Sequence, residues 1–229
     1  MKVLVGCPIY EGKRYCLQKY VEGLKALTYS EKDILLVDNS PTPVFSEELE
    51  ALGIPIIHTG FELATPRDRI IHCRNILRKK MFEGYDYFLS LEADVVPPPD
   101  VIERLLAHKK DIVSAVVWYY SEYDGKRIPA PLLWDFDPKG DEKYMVYVDR
   151  EELAKPQLKE IKACSLSCCL ISRTLLGKIR FSYEKDSYDD VMFCTNARKH
   201  GYSIYVDTTV ECTHYYVRKP PSHTGDTKK

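Results

Sequence analysis

The chain has 229 residues, is 45% hydrophobic and carries a formal net charge of −1, which suits one α/β domain with an ordinary packed core. That balance excludes a field able to gather a nucleic acid polymer, so an anionic ligand would need local neutralisation. No run reaches the roughly 20 apolar residues of a membrane span, and Met1 to Tyr10 lacks the apolar length of a secretory signal; a soluble, cytoplasmic protein is expected, with peripheral membrane contact left open.

Lys2 to Pro8 is a short apolar, β-branched run ended by proline, which predicts a buried strand. Tyr15 to Leu27 carries Leu17, Tyr20, Val21, Leu24 and Leu27 at helical spacing. Asp33 to Val37 predicts a second strand, closed by the turn formers Asp38-Asn39-Ser40-Pro41. A helix over Ser46 to Leu52 and a strand over Ile54 to His58 follow. Arg69 to Phe82 has helical periodicity, with Gly84 placed to stop it. Tyr87 to Leu91 predicts a fourth strand, Asp100 to Ala107 a helix with Pro99 near its start, and Asp111 to Trp118 a fifth strand.

From Tyr119 to Ala163 this alternation fails, and Tyr144 to Val148 is the one strand read there, in a small antiparallel excursion on the substrate side. Cys164 to Ser172 returns to a buried strand, Asp189 to His200 is a helix, and Tyr202 to Val206 and Val210 to Tyr216 are two closing strands. The tail from Arg218 is polar and reads as disordered or as a mobile lid. The expected organisation is a single domain over residues 1–217, with halves 1–118 and 119–217, and a flexible tail over 218–229. The eight cysteines show no C-x-x-C pairing, so a zinc knuckle is not expected, and without a secretory signal buried reduced thiols are.

Strands alternating with helices over the first 118 residues predict a mostly parallel, Rossmann-like sheet, in which ligands bind outside the carboxyl ends of the strands. Pro8-Ile9-Tyr10, Asp38-Asn39 and Glu92-Ala93-Asp94 all fall at such ends. Two carboxylates separated by one residue can together hold a hard cation of the kind that bridges phosphate oxygens. An acid-x-acid triplet alone is a common surface loop; its place after an apolar strand is what raises it to a candidate site. Asp189-Asp190 likewise reads either as a helix N-terminus favouring acids or as a catalytic pair.

The segment YDYFLSLEADVVPPPDVIERLL resembles the centre of nucleotide-diphospho-sugar transferases of the GT-A fold, in particular glycosyltransferase family 2. That family usually has Asp-x-Asp where this chain has glutamate first. The resemblance implies Asp94 as the direct metal ligand and Glu92 as an outer or ribose-contacting acid. VLVGCPIYEG resembles the opening strand and turn, so Pro8, Ile9 and Tyr10 would border the base. ILLVDNSPTP assigns Asp38 to the base or ribose, and HCRNIL gives Arg74 and Asn75 a nucleotide-site role. SYDDVMFCTNARKHGYSIYVDTTVECTHY resembles the family's acid pair and terminal histidine. Asp190 would be the general base, with Asp189 supporting it or orienting the acceptor, and His214 would complete a manganese or magnesium site.

The resemblance thus implies a metal-dependent hexosyltransferase that moves a sugar from a UDP or GDP sugar to an acceptor hydroxyl, with inversion. The acceptor, whether glycan, lipid, protein or small molecule, is not specified. A retaining transferase, a sugar nucleotidyltransferase and a non-catalytic sugar-nucleotide or carbohydrate-binding module are the alternatives. The nucleotidyltransferase would need a richer glycine and lysine loop than Tyr10-Glu11-Gly12-Lys13-Arg14 offers.

Overall fold

The structure, a computed structural model, describes residues 1–60, 62–63, 65–123, 126–141, 144–184 and 187–216; the tail from Arg218 lies outside them. From the N-terminus the chain forms β1 (Val3–Gly6), β2 (Pro8–Ile9), a 3₁₀ turn over Glu11–Cys16 and α1 (Leu17–Ala26). Next come β3 (Lys32–Ile34), β4 (Leu36–Asp38), α2 (Val44–Ala51), β5 (Ile56–His58) and α3 (Pro66–Met81). Then follow β6 (Tyr87–Leu91), β7 (Val95–Val96), α4 (Val101–Ala107) and β8 (Ile112–Tyr123).

β1 is buried on both faces: Leu4 packs into one core cluster, and Val3 and Val5 into the other. Such a strand belongs at the centre of a sheet covered on both sides. It pairs in parallel with β3 on one side and β6 on the other. The partner strand breaks at Leu35, whose carbonyl oxygen would lie 2.1 Å from a Cβ at position 6. Only glycine tolerates that approach. Beyond the break β2, β4 and β5 continue in parallel as a small sheet of their own, so the Pro8 and Asp38 turns end side by side.

The second half adds β9 (Lys126–Pro131), β10 (Leu133–Phe136), β11 (Met145–Tyr147), α5 (Arg150–Leu153), β12 (Leu158–Ile161) and β13 (Ala163–Cys164). It closes with β14 (Cys168–Ser172), α6 (Arg173–Lys178), α7 (Asp189–Lys199) and β15 (Ile204–His214). The main sheet runs β12-β15-β8-β14-β6-β1-β3, with β7 on β15 and β9 on β8. β14 is antiparallel to both β6 and β8, whereas β15 runs parallel to β8. The result is a mixed α/β fold in which the strands from β1 to β6 pair in parallel.

Two expectations need correction. Residues 119–163 are far more regular than one strand in an irregular excursion, because β8 runs on to Tyr123 and forms a hairpin with β9. Pro129 and Pro131 disguised β9; they are tolerated because β9 pairs on one side only. The two closing strands are a single β15, whose register against β8 shifts between Asp207 and Glu211. There the Asp207 carboxylate takes bonds from the Thr209 amide at 2.9 Å and its hydroxyl at 2.6 Å, making a bulge rather than a break. All eight cysteines are buried and free of disulfides. Among the described residues no helix is long and apolar enough to cross a membrane.

Candidate active site

β6 sets the first part of the site. Side chains alternate along a strand, so Phe88, Ser90 and Glu92 share the side that faces α3, while Leu89 and Leu91 fill the other core cluster. Helix α3 begins with Thr65 as cap, its hydroxyl accepting from the Asp68 amide at 3.1 Å, and Pro66 in the first turn. Its buried face carries Cys73, Leu77 and Met81 into the core and aims Arg74 at the strand end. Arg74, only 4% exposed, donates to the Ser90 hydroxyl at 3.2 Å and to Glu92 Oε1 at 3.0 Å. Its Nε lies 2.8 Å from Asp189 Oδ2, an ion pair bent outside hydrogen-bond geometry. One arginine therefore joins the acid after β6 to the acid at the start of α7.

The chain turns at once after Glu92, with the Val95 amide donating back to the Glu92 carbonyl at 2.9 Å. That turn separates the two acids of the triplet. Glu92 stays with Arg74 and accepts from the Ser167 hydroxyl at 2.8 Å. Asp94 instead faces β15, where Tyr215 donates to its carbonyl at 2.7 Å and His214 Nε2 stands 3.6 Å from Oδ2. His214 Nδ1 lies 2.9 Å from the Trp118 carbonyl, which fixes it as the protonated nitrogen and leaves Nε2 directed at Asp94. The Lys13 ammonium is ion-paired to the same carboxylate, and Tyr15 donates to it at 3.3 Å. Burial alone would raise the Asp94 pKa, yet His214 and Lys13 outweigh it and bring it down to about 2.

Asp189 and Asp190 open α7. Burial, and next the neighbouring charge of Asp189, push Asp190 up to about 6, against the pull of the Val191 amide that donates to it at 2.7 Å. Its proton affinity is that of a base poised near neutrality.

Beside Glu92 lies a cleft of about 430 Å³. Pro8, Ile9, Tyr10 and Asn39 border it on the side of the small parallel sheet, and Lys13, Arg74 and Glu92 on the other, with Pro66, Arg69 and Ile70 from α3. Asp38 and Asn75 do not line it, nor do Asp94, Asp189, Asp190 and His214, though Lys13 and Arg74 from its lining pair with Asp94 and Asp189. The Asp38 carboxylate is fully buried and accepts from the Ser40 amide (2.8 Å), the Ser40 hydroxyl (2.6 Å) and the Ser46 hydroxyl (2.6 Å). It shapes the turn that presents Asn39. Asn75 donates to the Phe181 carbonyl at 2.9 Å and accepts from its amide at 3.2 Å, a clamp on the approach to α7.

Residues 5–180, more than half of the chain, match the family model described as glycosyl transferase family 2. The chain belongs to that family. It is similar in fold to the crystal structure of GalNAc-T7 with UDP, GalNAc and Mn2+, with a TM-score of 0.68, 14% identity and coverage of 94% of this chain and 44% of that one. The S. aureus TarS 1–349 structure in complex with UDP-GlcNAc gives 0.58, 15%, 95% and 60%, and A197 from STIV gives 0.52, 16%, 95% and 87%. At these identities the likeness concerns the GT-A fold. The chain spans less than half of the GalNAc-T7 chain and 60% of the TarS 1–349 chain. No curated protein sequence matches it.

For a family 2 glycosyltransferase the cation question is concrete. Among the described residues no three His, Cys, Asp or Glu side chains converge closely enough to hold a metal. Asp94 and His214 nonetheless offer two donors, and Asp94 Oδ1 is buried with no hydrogen-bond partner, an acceptor left for something outside the protein. That pair fits a divalent ion drawing its other ligands from phosphate oxygens and water. Sequence reasoning missed Lys13, Tyr15 and Arg69. The tripeptide Gly12-Lys13-Arg14 was the signal for Lys13, but only the 3₁₀ turn shows which cation faces inward: Arg14 turns away to Glu48, at 2.7 and 3.0 Å.

Proposed function

We propose that this glycosyltransferase moves a hexosyl group from a UDP-sugar to an acceptor hydroxyl with inversion at the anomeric carbon. The observation that supports the reading is Arg74, whose ion pairs with Glu92 and Asp189 link the acid that lines the cleft to the acid pair of α7. UDP-sugar is preferred to GDP-sugar because UDP is the nucleotide in the GalNAc-T7 and TarS complexes.

In this reading the base lies among Pro8, Ile9, Tyr10 and Asn39, and the diphosphate runs toward Lys13 and Asp94. Asp94 and His214 would hold a manganese or magnesium ion, whose charge offsets that of the leaving diphosphate. Arg74 spends its nitrogens on Ser90, Glu92 and Asp189, so its work is to fix the acids rather than to grip phosphate. Asp190 takes the acceptor proton as the acceptor oxygen bonds to the anomeric carbon and the bond to the β-phosphate oxygen breaks. A pKa of about 6 leaves Asp190 ionised at neutral pH while keeping it more basic than an ordinary carboxylate.

The test is a thermal-shift series with UDP, GDP and their sugars, each with and without manganese. UDP with manganese should raise Tm more than UDP alone. If no nucleotide stabilises the protein in a metal-dependent way, the reading fails. The anomeric configuration of the product, read by NMR, then decides the role of Asp190, because retention removes the need for a base there.

A further inference from the structure

Lys13 is the cation that the sequence did not single out. Its side chain crosses from the 3₁₀ turn after β2 to the Asp94 carboxylate, while its stem lines the cleft beside Tyr10 and Glu92. Arg14, its neighbour, is engaged with Glu48 and Glu11, so of this cationic pair only Lys13 faces the site. Its partner oxygen, Asp94 Oδ2, is also the one 3.6 Å from His214 Nε2.

A divalent ion on Asp94 and His214 would therefore meet an ammonium already in place. Two cations on one carboxylate repel strongly in a part-buried site. One must leave, and lysine can, because its ammonium is a compact charge on a flexible four-carbon stem. In the sugar-nucleotide reading, the negative charge that would receive it is the donor diphosphate.

We propose that Lys13 is a tethered placeholder: its ammonium neutralises Asp94 until a divalent cation arrives, then transfers to the diphosphate of the donor. This rests on the sugar-nucleotide reading above. Lys13 is then a competitor of the metal and a partner of the nucleotide. Removing its charge should move the two affinities in opposite directions, a pattern that a merely structural lysine would not give.

The experiment compares wild type, Lys13→Met and Lys13→Arg in two binding measurements on the full chain. Free manganese is counted by electron paramagnetic resonance in the absence of nucleotide, and UDP binding is measured by calorimetry in EDTA. Lys13→Met should bind manganese roughly tenfold more tightly and UDP in EDTA roughly tenfold more weakly, the size of an ordinary coupling between sites. Lys13→Arg, which keeps the charge, should follow wild type in both. If Lys13→Met leaves manganese affinity unchanged, or weakens both ligands together, the placeholder role is overturned. A wild-type chain that binds neither UDP nor UDP with manganese would instead defeat the sugar-nucleotide reading itself.

Discussion

Asp94 is a buried carboxylate and Asp190 a half-buried one, and their surroundings pull them apart. Asp94 is held at about 2 because His214 and Lys13 overcome its burial; Asp190 is lifted to about 6 because burial is reinforced by Asp189. A carboxylate that stays charged suits a ligand, and one that keeps appreciable proton affinity suits a base. Pairs of titratable groups driven in opposite directions are how one cleft divides its labour. The fold accounts for the difference. Asp94 follows a turn that delivers it to the cationic side chains of two other elements, whereas Asp190 sits at a helix start next to another acid.

The comparison breaks most decisively at Asp190. Asp190→Asn should lower kcat by about 10³-fold, while UDP binding in manganese, followed by thermal shift, stays near wild type. Wild-type kcat/KM should fall about tenfold per unit as pH drops below about 6, because the base is then protonated. Asp94→Asn should show the reverse pattern. It should lose the manganese-dependent part of nucleotide stabilisation and about 10²-fold in kcat/KM. A variant of Asp94 that retained full metal-dependent binding would show that the cation sits elsewhere.

The same contrast extends to stability. A group whose folded pKa is raised binds its proton more tightly when folded, so its ionised form costs stability above the unfolded value. For Asp190 that cost grows as pH rises from 3.8 toward about 6 and is complete above. Asp190→Asn should therefore stabilise the protein at pH 8 by on the order of 2 kcal/mol, with the gain vanishing near pH 4. Denaturant melts at the two pH values check this. Asp94 has the opposite sign: its lowered pKa contributes stability above 3.8 that is lost as pH falls toward about 2.

The N-terminal half was legible because each local signal agreed with the global fold. Apolar strands ended in proline or acids, and the periodicity of α3 pointed Arg74 toward β6. The order of motifs brought Glu92, Asp94, Asp190 and His214 to neighbouring places. What escaped was set by tertiary pairing. β9 was hidden by prolines that only an edge strand admits, and β15 was read as two strands because the Asp207 bulge resembles a turn. Lys13 escaped because a 3₁₀ turn chooses which of two adjacent cations faces the cleft. Asp38 and Asn75 show the converse: their residue types suit ligand contact, but their hydrogen bonds are taken by the protein.

Asn75 offers the smallest effect and the sharpest separation of scaffold from site. Its amide bridges α3 and the backbone of Phe181, a residue buried in the core and stacked on Phe193 of α7 at 4.8 Å between ring centroids. Asn75→Ala removes both bonds to Phe181 and leaves the backbone groups partly able to find water. The expected cost is about 1.5 kcal/mol of stability, below that of a fully buried unsatisfied pair. Because the side chain does not border the cleft, the UDP affinity measured at a temperature where the variant is folded should match wild type. A nucleotide affinity lowered more than a few-fold, with stability unchanged, would instead return Asn75 to the binding site. With affinity unchanged, any accompanying fall in kcat would then report on α7, whose acids Asp189 and Asp190 take their position from the packing that Phe181 and Phe193 share.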